Sequence, residues 1–101
     1  MKLLTQELRG QFPKLYQDED TPTEEKKVIA KFFTPWTSWT WYATEFDGED
    51  LFFGLVDGLE REWGYFSLKE LESINGPVGL KIERDLYFGQ PMIKDIPGLA
   101  S

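Results

Sequence analysis

The chain has no cysteine and no histidine among its 101 residues. Without cysteine there is no disulfide framework and no thiolate metal site. Without histidine it lacks the usual general base near neutral pH and the commonest transition-metal ligand. Ser-His-Asp and Cys-His catalysis are therefore impossible within it. Positive charge is also scarce: 11 Lys and Arg stand against 18 Asp and Glu, for a net charge of −7. Nucleic-acid binding needs basic side chains that displace phosphate counterions, so direct binding of DNA or RNA is not expected. No run approaches the ~20 apolar residues of a membrane helix. The start, MKLLTQELRGQF, is broken by Gln6, Glu7 and Arg9 before an apolar signal core can form. These absences predict a cytoplasmic protein with no membrane contact, no cofactor and no metal.

What is abundant is aromatic. Of 16 aromatic residues, 12 lie between Phe32 and Phe66, including all four tryptophans. Their short alternating runs, separated by Asp-Gly and Pro-containing breaks, read as consecutive antiparallel strands. The length suits one domain over residues 1–101, and a domain of this size buries roughly 65% of the surface its unfolded chain exposes.

Along the chain, Thr5 is a plausible N-cap with Glu7 in the first turn. Leu4, Leu8, Phe12 and Leu15 form an apolar stripe for one short helix, which Gly10 weakens and Pro13 ends or kinks. Residues 17–25 are polar and acidic, an exposed loop. Strands are expected over 27–33, 38–46, 50–56 and 62–66. Ser67 and Glu70 fit a capping box that opens a second helix, ending near Ile74 before Asn75, Gly76 and Pro77. Residues 80–82 and 86–88 could form short strands, and 89–101 read as an irregular tail.

Asp47-Gly48 is a strong signal for a two-residue hairpin turn. Such a turn sets Phe46 opposite Glu49, Trp41 opposite Gly54 and Trp39 opposite Val56. One face then carries Trp39, Trp41, Ala43, Phe52 and Val56; the other carries Tyr42, Phe46, Leu51, Phe53 and Leu55. Both faces are apolar, whereas a half-exposed sheet alternates apolar with polar. The helices and tail must cover them, and whatever stays bare is a candidate for self-association or a partner.

The same topology gathers charge. The loop before the first strand and the turn between the second and third lie at one end of a meander. Asp18, Glu19, Asp20, Glu24 and Glu25 meet Glu45, Asp47, Glu49 and Asp50 there, half of the chain's 18 carboxylates. Solvated loops and an edge guarded against aggregation are the mundane explanation; a recognition surface is the functional one.

Catalysis finds little support. Glu83, Arg84 and Asp85 could include paired acids for glycoside hydrolysis or a Mg²⁺ site, but an Arg between two acids is first a structural ion pair. Asp18 and Asp20 lack the glycine and distal Glu of a calcium loop. The glycines at 54, 58, 64, 76 and 79 fit no phosphate-binding spacing. Trp39 and Trp41 alternate on one strand and read as core or as a stacking platform, Trp41 more as core. Trp36, beside Pro35 in a turn, is the better contact residue.

Four segments carry a resemblance: LLTQELRGQFPKLY, KFFTP followed by WTWY, LFFGLVDGLEREWGYFSLKELE, and GPVGLKIERDLYF. In this order they resemble a family of small bacterial proteins known as domain of unknown function 2958. The resemblance implies a compact single domain and a setting on plasmids, phages or integrated elements. It names no reaction and carries over no catalytic residue.

The expectation is thus an α+β domain: an antiparallel meander of about four strands, an N-terminal helix, a second short helix after strand four, and a tail packing back. Its expected role is a non-enzymatic protein-interaction module. The candidate contacts are Trp36, Trp39, Asp18, Glu19, Asp20, Glu45, Asp47, Glu49 and Asp50, with a protein partner and a possible homodimer. The alternatives are a DNA-mimic inhibitor of a host nuclease or defence complex, and a carboxylate-dependent enzyme.

Overall fold

The computed structural model describes residues 2–99, built on one five-stranded antiparallel sheet. Its strands are β1 (Ala30–Phe33), β2 (Thr40–Phe46), β3 (Leu51–Asp57), β4 (Arg61–Ser67) and β5 (Glu83–Arg84), ordered β4-β3-β2-β1-β5 in space. The first four are the expected meander. The fifth falls between the two triplets read as short strands: Ile82 is buried in the core, Leu86 is exposed, and Arg84 and Glu83 pair with Phe32 and Phe33 of β1. β1 begins later than expected because the chain before it turns to the C-terminal segment, with Val28 N–H donating to the Pro91 carbonyl at 2.8 Å.

Both helices form where their caps stand. Helix α1 (Gln6–Arg9) is a single turn, its N-cap Thr5 accepting the Leu8 amide at 3.2 Å. Helix α2 (Leu68–Ser73) starts at Ser67, whose hydroxyl oxygen accepts the Glu70 amide at 3.2 Å. Asp50, from the β2–β3 turn, completes this cap: Oδ1 accepts the Lys69 amide and Oδ2 the Ser67 hydroxyl. The local capping signal therefore also fixes α2 to the turn across the sheet.

The β2–β3 hairpin departs from its expected register. The turn spans four residues rather than two. Asp47 Oδ1 gathers the amides of Glu49, Asp50 and Leu51, and the Asp47 amide closes the loop on the Leu51 carbonyl at 2.9 Å. A type I′ turn needs two successive positive φ angles, and here Gly48 alone has one, +92°. Trp41 accordingly faces Val56, and Gly54 faces Ala43. A β-bulge then intervenes, with Ala43 opposite Gly54, Glu45 opposite Phe53, and Thr44 extra. The extra residue moves Phe46 onto the face of Trp41 and Ala43, not that of Tyr42 as regular alternation predicts.

The first face is covered, the second in part. On the first, Phe52 is the centre, with the rings of Phe12, Phe32, Phe46 and Phe66 at 4.5–5.5 Å from its own. Leu3, Leu4, Leu68, Leu71 and Ile82 close over them, with Leu8 and Ile74 at the margin. A fully buried Phe such as Phe52 contributes about 1.5–3 kcal/mol of burial. On the second face Val28, Tyr42 and Leu55 pack under Ile93 and Ile96 of the C-terminal segment. That segment is more regular than the expected tail, since it holds a 3-10 turn (Ile93–Asp95) and bridges Lys27 through Met92. Residues 100 and 101 lie outside the described residues.

Candidate interaction site

The bulge at Thr44 has a chemical consequence. It points Glu45 to the second face, where that residue is only 3% exposed. The Thr44 hydroxyl holds the irregularity in place by donating to the Phe53 carbonyl at 3.0 Å. The acidic loop folds over Glu45: Oε1 accepts the Tyr16 amide at 3.0 Å and Oε2 the Asp18 amide at 3.3 Å. Lys26, buried as well, brings its ammonium to 3.8 Å from Oε2 and donates to the Asp18 carbonyl at 2.6 Å. A buried carboxylate is thus met by a cation and two amides, interactions that offset the cost of taking both charges out of water.

This pair takes part in lining a cavity of about 280 Å³, together with Tyr16, Glu19, Thr21, Thr23, Phe53 and Tyr65. The Phe53 and Tyr65 rings meet at 5.2 Å between centroids, tilted by 58°. Tyr65 and Tyr16 are 49% and 62% exposed. A hydrogen bond with Tyr16, together with burial and the negative field of Glu45 and Glu19, pushes the Tyr65 hydroxyl above its ordinary pKa. Tyr16 takes a left-handed backbone, φ 69°, at the corner that brings its amide to Glu45.

The candidate residues named from the sequence divide into three groups. Asp18, Glu19, Asp20, Glu24 and Glu25 do gather at the sheet end that carries Glu45 and the β2–β3 turn. Among them Glu19, Asp20, Glu24 and Glu25 are exposed, as is Glu49. Glu45, Asp47 and Asp50 share that end but are used by the fold. Amide hydrogen bonds from Glu49, Asp50 and Leu51 outweigh the upward push of burial and hold the Asp47 carboxyl below its usual range. The Ser67 hydroxyl and the Lys69 amide do the same for Asp50. The third group, Trp36 and Trp39, lies in the β1–β2 turn at the opposite end. The seven residues of β2 separate the two ends, about 20 Å of strand.

Neither tryptophan stands free. Trp36 lies against Gly76, where a Cβ would come within 2.6 Å of its ring, and Trp39 covers Gly58 at 2.4 Å by the same measure. Trp39 is 36% exposed and stacks loosely on Trp41, which is itself core. Covering of glycine by tryptophan thus occurs at Gly58 and Gly76, while Trp41, expected opposite Gly54, faces Val56. Trp39 lines a groove of about 440 Å³ with Lys31, Glu83, Asp85 and Tyr87. In the Glu83, Arg84, Asp85 trio, Arg84 donates to the Lys2 and Leu3 carbonyls and Asp85 pairs with Lys31 at 3.6 Å.

Tyr16, Lys26, Phe53 and Tyr65 are not among the candidates read from the sequence. Nothing local marks them. They converge because the bulge turns Glu45 and the loop closes on it. Among the described residues no group of three potential ligands is placed to hold a metal ion, and no helix is long and apolar enough to cross a membrane.

The fold and site define a small acidic α+β domain, a five-stranded antiparallel sheet with an acid-rich end. The chain belongs to the family described as Protein of unknown function (DUF2958), whose family model matches residues 3–93. No curated protein and no solved structure matches it.

Proposed function

We propose that this protein is a non-enzymatic interaction module that binds a basic protein partner through its acidic end. One observation carries the reading: Glu19, Asp20, Glu24, Glu25 and Glu49 are exposed at one end of the sheet, while Lys26 beside them is buried against Glu45. Among the described residues no ion pair takes up these five carboxylates; the pairs are Lys26–Glu45, Lys31–Asp85 and Arg61–Asp57. Such a field draws in a basic surface with fast, salt-sensitive association.

The DNA-mimic version, an inhibitor of a host nuclease or defence complex, needs carboxylates spaced like phosphates. Glu45, Asp47 and Asp50 are spent on the fold, which favours the broader reading. Carboxylate catalysis is disfavoured by a related fact. Glu19 and Glu45 share one cavity, and Glu83 and Asp85 another, but Glu45 and Asp85 are each held by a lysine. A homodimer rests on a different surface. Exposed Leu86 and Tyr87 beside Trp39 form an apolar patch that could pair with a copy.

Affinity capture from the native host's lysate tests the reading. A basic protein should be retained at low salt, released at high salt, and lost with the Asp20→Asn, Glu24→Gln, Glu25→Gln triple variant. Retention indifferent to salt and to that variant would overturn it.

A further inference from the structure

We propose that the cavity formed by Tyr16, Phe53, Tyr65 and Glu19 is a socket for one arginine side chain of the partner. The inference rests on the acidic-end reading and gives it a specific anchor. Three aromatic rings line the cavity, and ring faces attract a cation, most effectively when it is partly desolvated. Two carboxylates, Glu19 and Glu45, share the lining; Glu45 is paired with Lys26, which leaves Glu19 as the carboxylate open to an incoming cation. The one cation present, Lys26, is neutralised from below by Glu45 and held by the Asp18 carbonyl, so its charge does not dominate the opening.

Size narrows the occupant. A volume of about 280 Å³ lies at the lower bound of ordinary small-molecule sites, suiting one long side chain better than a nucleotide or cofactor. Chemistry narrows it further. A guanidinium is planar, stacks on aromatic faces and forks onto a carboxylate, whereas an ammonium is a strongly hydrated point charge. Tyr65 supplies a ring and Glu19 an acceptor that the described fold does not otherwise engage in an ion pair. The surrounding Asp20, Glu24 and Glu25 provide steering toward the socket.

The test uses the full chain, isotopically labelled, titrated with a short glycine-serine peptide carrying one arginine. A second peptide carries citrulline, which keeps the shape and loses the charge. The arginine peptide should shift the amide signals of Tyr16, Glu19, Phe53 and Tyr65, and the citrulline peptide should not. Tyr65→Ala and Glu19→Gln should each weaken binding about tenfold, while Tyr65→Phe, which keeps the ring, loses less. Both positions are exposed, and an unchanged melting temperature confirms that each variant folds.

A polyarginine peptide separates the two levels of the inference. If it binds with salt sensitivity, is unaffected by Tyr65→Ala and Glu19→Gln, and is lost on neutralising Asp20, Glu24 and Glu25, the acidic end stands and the socket is overturned. If neither arginine peptide shifts any signal at millimolar concentration, both are overturned.

Discussion

The Lys26 ammonium lies 3.8 Å from a Glu45 carboxylate oxygen, and both side chains are almost wholly buried. Removing one partner strands the other charge away from water. Glu45→Gln should therefore destabilise the protein by about 3–5 kcal/mol in urea unfolding. The Lys26→Met, Glu45→Leu double variant should cost clearly less than the sum of the two single changes, because the stranded charge is gone. Additive losses would show that the pair is not coupled.

Thr44 is the extra residue of the bulge, and its deletion separates two accounts of the strand. Under regular alternation, losing one residue would invert everything beyond it. Here Ala43, Glu45 and Phe46 would then alternate correctly, with Phe46 still in the core. The deletion variant should fold with a cooperative thermal transition, weakened by loss of the bond to the Phe53 carbonyl. Thr44→Val should cost about 0.5–1.5 kcal/mol for the lost hydrogen bond to the Phe53 carbonyl. A non-cooperative melt of the deletion variant would contradict the bulge assignment.

Gly54 and Gly64 face each other across β3 and β4 yet should respond oppositely to alanine. A Cβ at Gly54 would sit 2.0 Å from the Tyr42 carbonyl oxygen, while at Gly64 it meets open space. Gly54→Ala should lose at least about 1–3 kcal/mol through overpacking. Gly64→Ala should be neutral, or stabilise slightly by restricting the unfolded chain. Chemical denaturation of the two variants side by side checks the contrast.

Acid should loosen the joint between the β2–β3 turn and α2. The Asp50 carboxyl is held below its ordinary range by the Ser67 hydroxyl and the Lys69 amide, and Asp47 below its own by the Glu49, Asp50 and Leu51 amides, which outweigh partial desolvation. A depressed carboxylate pKa contributes stability that is fully present above the unfolded value, about 3.9 for Asp. That contribution fades as pH falls through the lower folded value. Melting temperatures of the wild type should therefore drop below about pH 4 more steeply than those of Asp50→Asn. Parallel acid limbs would show that Asp50 does not contribute.

Ser67→Ala should remove the α2 N-cap at a cost of about 1 kcal/mol. Circular dichroism melts report it, and the loss should be smaller in the Asp50→Asn background, where the shared hydrogen bond is already altered.

Much of the candidate acidic end was legible because loop acidity and meander topology are properties of pattern. Asp18, Glu19, Asp20, Glu24 and Glu25 gather where a meander must put them. The aromatic socket was not legible: Phe53 and Tyr65 are partners on adjacent strands, but Tyr16 joins them from far away in the chain, and nothing near it marks the meeting.

The sequence by itself determined the strands of the meander, the two helix starts at Thr5 and Ser67, and the absence of histidine and cysteine chemistry. These follow from alternation, turn residues and capping, which act over a few neighbours. Tertiary structure alone decided the hairpin register, the face of Phe46, the position of β5 and the burial of Glu45. Each depends on a choice among locally similar backbones. A turn lengthened by the Asp47 carboxylate and one inserted residue at Thr44 are small local changes, and only packing of the distant segments selects them.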